Sequence, residues 1–435
     1  MGRAATALPF FTAYDPPGTS EGSLDPLGLY AIADELAVRL VPGVRERMQR
    51  IRFLTAITVG ALVLEDVAPN PRLPRLPPYL VWEWLVVEAM VRALGGDEEL
   101  WGVPGSYVVG RAVEDRGYVD ERSYLKTPRI FGFHGVYKRL GVHLGLIDWR
   151  LRLRSPRGDE LIRAWARGRG LNGFGADHPL CRKWRRAVET SLRETPARTR
   201  TPSGWRQVDW QELAEAFAPH LAGRREKTYL RRLLLGDGAE PPGALVPVWR
   251  LLEKTGGECP DERAFHRELY KEAPEYGRLI EAIGAYEEFA RNLMDAFDIV
   301  RAEGSRPDVR GLEISQLARD SDFRMLSERC YPLYQRAVQR LEAFEPKLAD
   351  EFAQRFGVFA EPVPPERFAG SLCEHHESVQ RSKSREGKRP WFDRVGSGRV
   401  YMRLNYRLER REPAPLLYVH QYRTWPVSRF YRDLS

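Results

Sequence analysis

The stretch that most limits what this chain can fold into is 123–166, SYLKTPRIFGFHGVYKRLGVHLGLIDWRLRLRSPRGDELIRAWA, because its apolar spacing changes period within a few residues. Val136, Leu140 and Leu144 recur at i, i+4 and i+8, which places them on one face of a helix. Gly145 suits the left-handed position that closes a helix. Asp148-Trp149-Arg150 predicts a small turn. Leu151 and Leu153 then alternate with Arg152 and Arg154 as one face of a strand. Ser155-Pro156, with Glu160 and Leu161 behind it, announces another helix. With the first helix starting at Gly135, only Gly141 departs from good helix formers, at about 1 kcal/mol.

Charge marks the same stretch. Residues 121–170 carry twelve Lys and Arg against four Asp and Glu, a surplus of +8 that equals the net charge of the whole chain. A local excess of this kind is the footprint of phosphate-backbone binding. The competing reading is an arginine-rich surface that packs on another domain or simply stays solvated. The order of elements resembles the recognition helix, wing and closing helix of winged helix-turn-helix DNA-binding proteins. That resemblance implies duplex DNA as a partner. Lys138, Arg139 and His143 would face base edges, while Arg150, Arg152, Arg154 and Arg157 would grip phosphate.

At 435 residues, with 43% apolar and 29% charged residues, the chain has the make-up of a soluble protein of several domains. No run approaches the ~18 apolar residues of a membrane span, and the opening MGRAATALPFFTAYDPPGTS lacks the pattern of a secretory signal. A cytoplasmic protein with no membrane partner is expected. Cys181, Cys259, Cys330 and Cys373 stand far apart, which argues against a zinc ribbon or a disulfide framework. Neither a metal nor a small-molecule cofactor is implied.

The expected fold class is mainly α and multi-domain: helical bundles, an embedded winged helix and a small basic α+β module. The expected segments are 1–120, an N-terminal helical domain with helices near 25–41, 44–67 and 78–94; 121–170, the winged-helix candidate; 171–235, a basic helical segment; 236–365, an acidic bundle with a long helix after Pro332; and 366–435, the basic module. In the basic segment Trp184, amid Arg182, Lys183, Arg185 and Arg186, reads as a core tryptophan covered by arginines, or as a base-stacking ring. In the last segment RVYMRLNYRL (399–408) alternates like a strand, and Tyr418, His420 and Tyr422 would share a strand face. Charge alternates along the chain: 236–365 sums to −8 and 366–432 to +8. That favours anionic partners over general stickiness.

Two chemistries compete with plain binding. His376, Gln380 and Lys383 fall on one helical face, and His420 lies near them if the terminal strand packs on that helix. A nuclease would use one imidazole as base, with Lys383 or Lys388 stabilising the developing charge. Zinc held by Cys373, His375 or His376 and His420 is disfavoured, because Cys-x-His on a helix points its ligands apart. Arg129-x4-His134 has the arginine–histidine spacing of a family of helical ribonucleases, but Ile130, Phe131 and Gly132 intervene, so no catalytic motif is read there. No Walker motif or Ser/His/Asp arrangement stands out. The opening residues 25–43 and the closing HHESVQRSK…GKRPW resemble uncharacterised bacterial proteins associated with phage defence. The expectation is therefore a non-catalytic DNA-binding component of a bacterial multi-protein system, with anti-phage defence as its setting. Lys388 and Arg389 would add phosphate contacts, and other proteins of the system would be partners. The alternatives are the nuclease and a protein-binding scaffold.

Overall fold

Helices carry nearly all of the regular structure, and the strands form one small sheet. The structure, a computed structural model, describes residues 25–94, 96–193, 199–202, 208–259, 261–306, 311–383, 387–395, 399–414 and 416–435. The chain forms two compact units, each assembled from pieces separated in sequence: Met1–Leu36 with Pro274–His420, and Ala37–Ala273 with Gln421–Ser435. The segments at 121–170 and 171–235 both fall in the second unit, and the segment at 366–435 is divided between the two. Among the described residues no helix is long and apolar enough to cross a membrane.

The second unit is built around FLTAITVGALV, the helix Phe53–Val63, in which every residue is buried. A helix that is apolar all round must lie inside its neighbours. It is shorter than the helix expected over 44–67. The backbone N–H groups of Gln49 and Arg50 both donate to the hydroxyl of Tyr137 at 2.8 Å, so a tertiary partner holds this approach as a loop. Gly60 lets the Trp82 indole close in, since a Cβ there would lie 2.4 Å from its Nε1, which donates to the Ala56 carbonyl at 3.0 Å. Trp82, Trp165, Trp184 and Phe217 form the aromatic core, with the Trp165 and Phe217 rings stacked 5.7 Å apart. Trp184 is therefore a core residue and offers no face for a base.

In the first unit the helices Gly277–Glu303 and Ser321–Phe344 pack together over Phe289, Tyr334, Phe352 and Phe356. The second of these was expected to begin after Pro332. It starts eleven residues earlier, because Asp320 caps it by accepting from the Phe323 N–H at 2.8 Å. The sheet is antiparallel with order β1-β3-β2: β1 is Leu312–Glu313, β2 is Phe392–Val395 and β3 is Arg399–Met402. Its first strand comes from the acidic segment, so the basic module does not build its sheet alone. The alternation in 399–408 stops at Met402, and Leu404–Tyr406 is a turn of 3-10 helix. Residues 418–422 form no strand. The buried Glu287 carboxylate takes the N–H groups of Val419 and His420, which a ladder would have needed. The helix Thr424–Leu434 follows.

Candidate nucleic-acid interface

The helix Phe133–His143 buries Phe133, Val136, Tyr137 and Leu140. It ends as its sequence requires: Gly145 adopts φ +75°, and Leu146 donates back to the Gly141 carbonyl at 2.9 Å. A tight hairpin follows. Asp148 Oδ1 accepts the N–H groups of Arg150 at 2.7 Å and Arg152 at 2.9 Å, while the Asp148 N–H donates to the Arg152 carbonyl at 2.9 Å. The ribbon expected over 151–154 is reduced to one antiparallel bridge, Ile147↔Leu153. Leu151 sits at φ +61° and takes the chain out of strand geometry. The helix Arg157–Gly168 then returns to the core with Leu161, Ile162, Trp165 and Ala166 buried.

The cations of this segment fall into two groups. Arg150, Arg152 and Arg154 are exposed, and among the described residues they form no ion pair. Lys138 and Arg139 lie half-exposed on the helix beside them, with Lys138 Nζ 5.8 Å from the Trp149 ring centroid. Two of the expected contact residues are engaged by the protein itself. Arg157 spends its guanidinium on the carbonyls of Asp237 at 2.6 Å and Gly238 at 3.3 Å. His143 turns toward the protein: a Cβ on Gly43 would lie 3.0 Å from its ring, and burial holds its pKa below the ordinary imidazole value. Trp149 was read only as a turn residue. Its position between an aspartate and an arginine, outside any apolar period, was the available signal that it would be exposed.

The basic C-terminal block behaves differently. Arg399 pairs with Glu313 at 2.7 Å, Arg403 with Asp393 at 2.8 Å, and Arg410 with Asp320 at 3.0 Å and Asp322 at 2.8 Å. Arg394 pairs with Glu377 at 3.1 Å. Arg399 and Arg410 are thus met by carboxylates of the acidic segment, and Arg394 and Arg403 by carboxylates of the block itself. Lys388 is half-buried and donates its N–H to the Gln380 carbonyl at 2.9 Å, while Arg389 is exposed and partnered.

Of the residues of the nuclease reading, His376 and Lys383 lie close together on the adjacent carbonyls of Pro26 and Asp25, while His420 stands apart from them. His376 is fully buried; its Nδ1–H donates to the Pro26 carbonyl at 2.9 Å and its Nε2 accepts from the Trp391 N–H at 2.9 Å. Both nitrogens are committed, and burial pushes its pKa down to about 3. Lys383 donates to the Asp25 carbonyl, and burial lowers its pKa. His420 belongs to Glu287, with Nδ1 2.7 Å from Oε1, and stacks on Tyr286. His376 instead lies against Phe297, ten residues further along the same helix, roughly 15 Å away at 1.5 Å per residue. His375 gives its Nε2 to the Leu27 carbonyl, and Cys373 is buried.

Arg129 and His134 do meet around one residue, Tyr79. The His134 ring lies 5.0 Å from Tyr79, and Arg129 hydrogen-bonds its hydroxyl. The pair is not on one helix, however: Pro128–Phe131 ends at Gly132, and a new helix starts at Phe133. His134 is 3% exposed, with its Nδ1 3.0 Å from the buried Glu83 carboxylate, which also accepts from the His134 N–H at 3.0 Å and the Tyr124 hydroxyl at 2.5 Å. This is a cluster that joins three segments of the second unit. Gly132 makes it possible, since a Cβ there would fall 1.8 Å from Glu83 Oε1. Gly132→Ala is expected to cost about 1–3 kcal/mol as an overpacked site, read by urea denaturation against wild type.

No protein-family profile, curated protein or solved structure matches this chain.

Proposed function

We propose that the protein binds DNA through the hairpin after the helix Phe133–His143, as a non-catalytic component of a multi-protein system. Arg150, Arg152 and Arg154 grip phosphate, and Lys138 and Arg139 flank them. The observation that carries this reading is the clustering of three exposed arginines, none with a carboxylate partner among the described residues, on one short hairpin. Arg399, Arg403 and Arg410 are neutralised by carboxylates. Unpaired guanidiniums on a rigid turn are ready for bidentate phosphate contacts at little cost in side-chain order. The likeness of this helix, hairpin and helix to a winged helix adds to it.

A mobility-shift assay at low salt tests the reading. Wild type is expected to shift a DNA duplex, the Arg150→Ala, Arg152→Ala, Arg154→Ala triple variant to lose the shift, and an Arg399→Ala, Arg410→Ala variant to keep it. Loss in the second variant with retention in the first would move the interface away from the hairpin. A wild-type protein that shifts no DNA but holds a protein partner would leave the scaffold reading.

A further inference from the structure

Trp149 is the most exposed tryptophan among the described residues, at 62%. Its neighbours in kind are already occupied. The guanidiniums of Arg50 and Arg429 each lie 4.8 Å from the Trp101 ring centroid, and Arg429 lies 5.3 Å from that of Trp425. Among the described residues, the cation over the Trp149 ring is the Lys138 ammonium, more distant at 5.8 Å from the centroid. It sits at the apex of a turn held by two hydrogen bonds to Asp148 Oδ1, so its backbone is fixed before any ligand arrives. A large indole held in water on a fixed turn, with exposed Arg150, Arg152 and Arg154 following it in the chain, matches what a strand of nucleic acid offers at each step: a phosphate and a flat base.

We infer that Trp149 is a stacking platform for an unpaired nucleobase, which makes a single strand or a frayed duplex end the preferred DNA of this surface over uninterrupted duplex. The inference rests on the DNA-binding reading above. Inside a duplex both faces of each base are covered by its neighbours, so only an unstacked base or a terminal pair can present a face to the indole. Lys138, whose ammonium lies 5.8 Å from the ring centroid, and Arg150, next in the chain, hold the adjoining phosphates.

The test uses the full-length protein and two fluorescein-labelled probes of equal phosphate number, an oligo(dT) strand and a DNA hairpin closed at both ends by hexaethylene glycol linkers, which leaves no unpaired base and no bare terminal pair, read by anisotropy. Wild type is expected to favour the strand. Trp149→Ala should weaken strand binding by about ten-fold while changing hairpin binding by less than about two-fold. Trp149→Phe should keep most of the strand affinity. Quenching of tryptophan emission by the strand, absent in Trp149→Ala, gives an independent readout of stacking. Equal weakening on both probes, or none on either, overturns the inference. If the triple arginine variant loses both probes while Trp149→Ala behaves as wild type, base stacking fails and DNA binding stands. If wild type binds neither probe, both readings fall together.

Discussion

Glu226→Ala is expected to destabilise the second unit by about 3–5 kcal/mol, because it strands a buried guanidinium. Arg52 and Glu226 are 2% and 1% exposed, with Nε 3.1 Å from Oε1. The carboxylate also accepts from the Thr55 hydroxyl at 2.7 Å, and Arg52 makes a further bond to the Ala218 carbonyl. Removing the acid leaves the cation with one carbonyl and no counter-charge. Replacing both members by Met should restore much of the loss, since apolar side chains of similar volume need no partner. Equilibrium unfolding in urea checks both variants. A loss under about 1 kcal/mol for Glu226→Ala would mean that water reaches the pair.

Acid is expected to unfold the protein through two imidazoles, one in each unit. Burial pushes the pKa of His266 and of His376 down to about 3. In the unfolded chain each would titrate near 6.5, so between those values the unfolded state binds more protons and stability falls as pH falls. The contribution is complete above about pH 6.5 and declines by about 1.4 kcal/mol per pH unit below it, levelling off near pH 3. At pH 5 each histidine should have cost about 2 kcal/mol. Unfolding free energy measured across pH 7 to 4 is expected to slope less steeply in His376→Gln than in wild type. Parallel curves would show that this imidazole takes up its proton at the same pH in the folded and unfolded chains, so that burial does not depress it.

The helical class, the stop at Gly145 and the helix opening behind Ser155-Pro156 were legible because they depend on neighbours within a few residues. A helix was legible over 44–67, but not that its middle, Phe53–Val63, is buried on every side. What could not be read was decided by partners far away in sequence. Glu287, a plausible solvated acid on its own helix, captures the backbone of Val419 and His420 and abolishes a predicted strand. Arg410, in the basic C-terminal block, is met by Asp320 and Asp322 of the acidic segment, far away in sequence. His143 and Arg157 share the hairpin's basic run, yet loops at 43 and 237–238 occupy both. In the candidate interface Arg150, Arg152 and Arg154 remain open, as do Arg163 and Arg167 on the helix that follows.

The most direct test of the central claim is the salt dependence of DNA affinity for wild type and the Arg150/Arg152/Arg154→Ala variant. Each phosphate contact contributes about 0.9 to the slope of log K against log salt concentration. The wild-type slope is expected to be steeper than the variant's by roughly three, while Arg399→Ala, Arg410→Ala leaves it unchanged. Identical slopes for wild type and the hairpin variant would contradict the account.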